Sequence, residues 1–424
     1  MRENIVPADF AGRQTARTTW LQRSLRAAML ARLARLEHGK LTLIDGDETF
    51  RFGQVSQNCD LSASIEILDP RFWADVALGG NTGAGESYMR GHWRPDDLTS
   101  VVRILVRNRD VLLKMDDGAG WISQPMYRLA HWLHRNNRDG SRRNIAAHYD
   151  LGNDFFQLFL DPTMNYSCGI FPSDDVDMEQ ASLAKMDAIC RKLDLRPEDH
   201  LLEIGTGWGG LAIYAAGRYG CRVTTTTISR RQHELATARV AEAGLHDRVT
   251  LLLEDYRDLE GRFDKLVSVE MIEAVGHQYL DTYFAKCSEL LRPEGMMLLQ
   301  AITIRDQLYD ESVKRVDFIK RYIFPGGFIP SVNAISDSVA RASDMRLFHL
   351  QDIGPHYATT LRRWRERFFE NIDAVRELGY PESFVRMWQF YLCYCEGGFL
   401  ERQIGNVQML LAKPLNRRSS LGYA

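Results

Sequence analysis

From about residue 195 the chain alternates short, apolar, β-branched runs with amphipathic helical segments, and this alternation limits the fold more than any other feature. LLEIGTGWGG leads into a helix at LAIYAAGRYG, CRVTTTTIS is a β-branched run, and RRQHELATARVAEAG has helical spacing. RVTLLLED, KLVSVEMIE and GMMLLQAITI read as further strands. Parallel neighbours need crossover helices, so the pattern predicts an α/β, doubly wound, mostly parallel Rossmann-like sheet. Ligands of such sheets collect at the carboxyl ends of the strands. The first of these ends is Glu203-Ile204-Gly205-Thr206-Gly207-Trp208-Gly209-Gly210, where glycines let the backbone turn sharply and approach a ligand without an intervening Cβ.

A dinucleotide site wants an acidic residue at the end of the second strand to hold a ribose. Here that strand ends TTTTIS, with no carboxylate; Glu203 precedes the glycines instead, and Asp255 follows the third strand in LLLEDY. This arrangement resembles the class I methyltransferases that bind S-adenosylmethionine, whose sulfonium and ammonium groups suit a carboxylate that would repel a pyrophosphate. The resemblance implies that Glu203, Gly205 and Gly207 line the amino-acid end of the cofactor. It places Thr227 and Gln232 at the middle, and Asp255 and Tyr256 at the adenosine end.

Flanking blocks narrow the family. His148-Tyr149-Asp150-Leu151-Gly152-Asn153-Asp154-Phe155-Phe156, Leu160-Asp161-Pro162 and Tyr166-Ser167-Cys168 stand before the glycine loop. After it come Glu273-Ala274-Val275-Gly276-His277, Tyr322-Ile323-Phe324-Pro325-Gly326-Gly327, His356-Tyr357-Ala358-Thr359-Thr360-Leu361 with Trp364, and Tyr391-Leu392 through Cys395 to Phe399. Together they resemble the cyclopropane-fatty-acyl-phospholipid synthases and mycolic acid cyclopropane synthases over roughly residues 140–414. Glu86-Ser87-Tyr88-Met89 with Gly91 and Trp93 resembles the N-terminal domain of the full-length bacterial members.

The resemblance implies methyl transfer from S-adenosylmethionine to the cis double bond of an unsaturated acyl chain of a membrane phospholipid. A carbocation follows, and loss of a proton closes a cyclopropane ring. In the family a bicarbonate ion is the base, bound by the backbone of the residue matching Cys168 and by side chains matching Glu273 and Tyr357. Tyr166 and Ser167 join the cofactor set, Ile302 the catalytic set, and Cys395 packs near the site. One departure stands out: many bacterial members have Leu-Leu-His-Thr-Ile where this chain has Leu298-Leu299-Gln300-Ala301-Ile302. Gln300 can hydrogen-bond an anion but cannot carry a proton as imidazole does. A rerouted deprotonation would give a methylene or, with a reductant, a methyl-branched chain, and related plant enzymes act on small molecules. Neither cysteine is expected to act as a nucleophile, since direct transfer to carbon needs no covalent enzyme intermediate.

An aliphatic substrate needs an apolar, water-excluding tunnel, for which residues 305–400 offer Phe318, Ile319, Tyr322, Ile323, Phe324, Phe328, Phe390, Tyr391 and Phe399. The expected organisation is an N-terminal α+β accessory domain (1–120), a basic linker (121–145), a catalytic domain (146–414) with a helical substrate-covering insertion at about 305–400, and a tail (415–424). Residues 18–37 form a basic amphipathic helix, with Arg23, Arg26, Arg32 and Arg35 beside an apolar stripe. It either covers its own domain's core or lies on an anionic membrane surface. A net charge of −3 gives no global pull toward nucleic acid. Seven scattered cysteines without CxxC spacing fit a reducing compartment and no zinc site. The expected location is cytoplasmic, peripheral to the inner membrane face, and the resemblance also points to a homodimer.

Overall fold

The computed structural model describes residues 20–110 and 151–419. Two sheets organise them. The N-terminal sheet has strands β1 (Gly39–Asp45), β2 (Glu48–Gln54), β3 (Ser62–Ile67) and β4 (Trp93–Pro95), in the order β2-β1-β3-β4. Asp45 pairs with Glu48, so two residues close the β1–β2 hairpin, and Gly46 supplies a φ of 62° there. Alternating residues bury one face: Leu41 and Leu43 of β1, then Ala63, Ile65 and Ile67 of β3.

Helices α1 (Trp20–Leu33), α2 (Arg71–Met89) and α3 (Leu98–Arg107) complete this unit. The basic amphipathic helix, expected over 18–37, ends at Leu33 and covers its own core through Met29 and Leu33, with Leu36 buried just beyond its end. Arg26 is tied to Asp45 at 2.8 Å and also to Glu48. The segment following Ile67 is helical from Arg71, because Pro70 with φ fixed at −59° is pre-set for a helix start. Helix α2 is broken at Gly80, whose φ of 54° and ψ of −137° lie outside helical space.

The larger sheet contains β5 (His200–Ile204), β6 (Arg222–Thr226), β7 (Val249–Leu252), β8 (Phe263–Val269), β9 (Leu291–Ile304), β10 (Arg346–Asp352) and β11 (Ile404–Ala412), in the order β10-β11-β9-β8-β5-β6-β7. Strands β5 to β9 run parallel, while β10 and β11 are antiparallel. Strand order reverses between β5 and β8, so their carboxyl ends flank the crevice where such folds bind ligands. Helix α4 (Met178–Leu193) precedes β5, and helices α5 (Gly210–Tyr219), α6 (Arg230–Glu242) and α7 (Leu280–Leu290) follow the alternation read in the sequence. Beyond β9 come α8 (Val332–Ala342), α9 (Gly354–Glu370) and α10 (Glu382–Leu400). The region at 305–400 is therefore not wholly helical: β10 lies within it and forms the edge of the main sheet.

Helix α10 packs against α2 and α3 and joins the two units. Tyr88 Oη donates to Gln389 Oε1 at 2.7 Å, Tyr322 Oη to Glu86 Oε1 at 2.8 Å, and Arg103 and Arg107 hold Glu401 at 2.7 and 2.5 Å. Gly397 allows α10 to meet α3, since a Cβ there would lie 2.7 Å from the Val102 side chain. The basic linker at 121–145 and the block His148-Tyr149-Asp150 fall outside the described residues.

Candidate active site

After β5, Gly205, Gly207 and Gly209 adopt φ of 104°, 53° and 85°, a region that side chains disfavour. Gly205 N and Thr206 N both donate to Thr226 O, which ties the loop to the end of β6. Glu203 is buried and accepts from Thr225 Oγ1 at 2.6 Å. Burial pushes its carboxyl up to about 8, against the opposing effects of Thr225 and Lys185. Thr227 Oγ1 donates to Gln232 Oε1 at 2.9 Å, and Asp255 is gripped by Arg257 at 2.8 and 2.6 Å. Tyr166 and Tyr391 share a hydroxyl hydrogen bond of 2.9 Å, while Ser167 Oγ accepts from the buried Lys185 at 2.9 Å. All of the residues expected to bind the cofactor line one cavity of about 660 Å³.

The side chain that organises the rest of this cavity was absent from the sequence expectation. Glu270 directly follows β8 with φ of 50°, a strained conformation for a residue with a Cβ. Its Oε1 accepts from Cys168 N at 3.0 Å, Gln300 Nε2 at 2.8 Å and Asn406 Nδ2 at 2.6 Å, and its Oε2 accepts from Tyr357 Oη at 2.6 Å. Gln300 lies opposite Gln408 in the β9–β11 register, and Gln408 Nε2 donates to Gln300 Oε1 at 2.9 Å. Lys192 Nζ in turn donates to Gln408 Oε1 at 2.5 Å, so the amide of Gln300 is oriented with its NH₂ toward Glu270.

This geometry corrects the bicarbonate expectation. The Cys168 amide and Tyr357 hydroxyl that would hold the ion are already committed to the chain's own carboxylate, and a second anion beside it would meet like charge. The residues therefore do not fit bicarbonate at that place. Glu273, the other ligand expected for it, accepts from Ile302 N at 2.6 Å through Oε1, while its buried Oε2 has no hydrogen-bond partner among the described residues. Burial first, then the neighbouring Glu270, pushes the Glu273 carboxyl up to about 8.

Glu273, Tyr357, Ile302 and Cys395 line the cavity; Cys168 and Gln300 stand behind Glu270 and do not. The Cys168 thiol donates to Gly169 O at 3.2 Å, and burial raises the pKa values of both the Cys168 and Cys395 thiols, which opposes any nucleophilic role. Of the expected tunnel residues, Ile319, Phe324, Phe328, Phe390, Tyr391 and Phe399 face the cavity. Phe318 instead packs on Phe390 with centroids 4.6 Å apart, Tyr322 bonds Glu86, and Ile323 is core. Aromatic pairs close the wall, with centroids 5.1 Å apart for Tyr166 and Trp364 and 4.5 Å for Tyr357 and Phe399. The assembly is a carboxylate held by four donors, facing an aromatic chamber that continues to a glycine loop. Two carboxylates three residues apart at the end of KLVSVEMIE were the available signal for Glu270, whereas Asn406, Gln408 and Lys185 left none.

Comparison with known proteins shows the family. The family model for mycolic acid cyclopropane synthetase matches residues 136–409. The chain is 41% identical over 342 residues to tuberculostearic acid methyltransferase UfaA1 of Mycobacterium tuberculosis, covering 76% of this chain and 77% of that one. It is 38% identical over 361 residues to the cyclopropane-fatty-acyl-phospholipid synthase of Escherichia coli K12, covering 85% and 90%. The solved structure of mycolic acid cyclopropane synthase CmaA1 complexed with SAH and CTAB matches with a TM-score of 0.60 at 32% identity, covering 64% of this chain and 98% of that one.

Proposed function

The chain belongs to the mycolic acid cyclopropane synthetase family, and on that premise we propose that it methylates the cis double bond of an unsaturated acyl chain of a membrane phospholipid, with Glu270 as the base. The observation that carries this reading is the Glu270 carboxylate, held by Cys168, Gln300, Asn406 and Tyr357 on the wall of an aromatic cavity that also passes the glycine loop. S-adenosylmethionine, when bound, supplies an electrophilic methyl group. Glu203, Gly205 and Gly207 receive its amino-acid end, and Asp255 with Tyr256 its adenosine end.

The π electrons of the alkene form the new C–C bond as the methyl leaves sulfur, which puts a cation on the acyl chain. Tyr166, Tyr357 and Phe399 line the cavity, where aromatic rings stabilise such a charge, and the apolar wall excludes water that would quench it. Glu270 Oε2, which accepts from Tyr357, takes a proton from the new methyl group as the ring closes. If a hydride shifts along the chain first, the same proton transfer leaves a methylene group.

The test is incubation of the protein with S-adenosylmethionine and vesicles of unsaturated phospholipid, followed by mass spectrometry of the fatty acid methyl esters. A product heavier by one CH₂ that resists mild hydrogenation is the ring; one that takes up hydrogen is the methylene compound. No product while S-adenosylmethionine still binds would overturn the lipid reading. In bicarbonate-depleted buffer the rate should hold, and a rate that collapses and returns with added bicarbonate would remove Glu270 as the base.

A further inference from the structure

The cavity does not end at the catalytic unit. Among the described residues it continues across the α10 interface into the N-terminal unit, where Val76, Ala77 and Ala84 of α2 face Leu105 and Val106 of α3. These five apolar residues are only half-buried, whereas their neighbours Phe72, Val101 and Ile104 are fully buried, so the space between the helices is left unfilled. The break of α2 at Gly80 divides the helix between Ala77 and Ala84, both of which border the cavity. Farther in, the wall is formed by Leu41, Leu43 and Ile65 of the sheet.

We infer that this hollow is the methyl-end chamber of the acyl site, so that the N-terminal unit measures how much chain lies beyond the double bond. The inference rests on the acyl-chain reading above and adds to it a specificity-determining role for residues outside the methyltransferase sheet. Continuity identifies the occupant: whatever enters the chamber shares one cavity with Glu270, Tyr357 and the glycine loop. Chemistry fixes the orientation. An ester, glycerol or phosphate group needs polar partners when buried, and the α2–α3 wall offers apolar side chains with Asn81 as the exception. The hydrocarbon terminus is the end of such a substrate that is stable there without hydrogen bonds. Of the charged N-terminal side chains that reach the cavity, Arg32 and Arg109 are both half-buried, and Arg109 is paired with Glu311 at 2.8 Å.

The test compares wild type with Ala84→Leu and Ala77→Leu on vesicles of three phospholipids whose monounsaturated chains are equal in length but differ in the distance from double bond to methyl end. Added methylenes in an apolar site shift discrimination by roughly tenfold or more. Both variants should therefore lose about tenfold in kcat/KM for the longest methyl-terminal segment and less than about twofold for the shortest, with calorimetric S-adenosylmethionine binding unchanged. Leu105→Ala enlarges the same chamber and should shift preference toward the longest segment, so the inference stays testable if a filled variant fails to fold. Equal losses on all three lipids, or no change in preference with Leu105→Ala, would overturn the chamber while leaving the methylation reading intact. Absence of product from the wild type on every lipid would overturn both.

Discussion

At the scale of single residues, the site turns on two carboxylates in different settings. Glu270 is surrounded by donors, whereas one buried oxygen of Glu273 has none among the described residues. Glu270→Gln keeps the size of the side chain and removes the proton acceptor, so methyl transfer should fall by roughly 10²–10⁴-fold, the usual worth of a general base. Calorimetry should show S-adenosylmethionine affinity within a few-fold of wild type; undiminished turnover would remove Glu270 from the mechanism. Glu273 makes a different prediction. Its carboxyl rises from 4.5 to about 8 on folding, so between those values the folded state binds more protons than the unfolded state. Stability is then fullest below about pH 4.5 for this group and falls as pH rises toward about 8. Glu203, also raised to about 8, slopes the same way. Glu273→Gln removes one of the two contributions, so its melting temperature should decline less than that of wild type between about pH 5 and pH 8.5. Superimposable profiles would mean that Glu273 is not held neutral by the fold. The glycine loop could be read in advance because Glu203, Gly205 and Gly207 sit within one local motif. Glu270 could not, because its role comes from a left-handed backbone and from Asn406 on a strand more than a hundred residues away.

Among the elements, the alternation that predicted β5 to β9 reports a local requirement, burial of parallel strands beneath helices, and is therefore visible in the sequence. Strand β10 was missed because RLFHLQD is an edge strand of mostly exposed or half-buried residues, with no apolar period to mark it. The seat of α10 on α3 was invisible for another reason: Gly397 has meaning only against Val102, which lies far from it in the chain. Gly397→Val would force side-chain atoms into the space that Val102 occupies, and overpacking of this kind costs about 1–3 kcal/mol. Thermal unfolding should show a lower midpoint for this variant, with S-adenosylmethionine affinity less affected than lipid turnover, because α10 holds the N-terminal unit whereas the glycine loop belongs to the β5–α5 connection. A variant as stable and as active as wild type would mean that the two helices part without consequence.

For the molecule as a whole, a phospholipid substrate requires that the cavity be presented to a bilayer, and a net charge of −3 means that attraction to anionic lipid must be local. Helix α1 narrows where this could occur. Of the four arginines noted at 18–37 in the sequence, three on α1 and Arg35 just beyond its end, Arg26 is engaged with Asp45 and Glu48, and Arg32 borders the cavity. Arg23 and Arg35 are exposed, and Trp20 is 73% exposed at the helix start, an aromatic and cationic combination suited to a headgroup layer. Each basic residue near an anionic surface contributes on the order of 1 kcal/mol. The double reversal Arg23→Glu with Arg35→Glu should therefore weaken co-sedimentation with anionic vesicles by at least about tenfold at low salt. The difference should shrink at high salt, where the attraction is already screened. Turnover on detergent-dispersed lipid should stay close to wild type, since neither arginine touches the cavity. Equal vesicle binding by variant and wild type at low salt would confine α1 to covering Met29 and Leu33, and would move the membrane contact to another face of the protein.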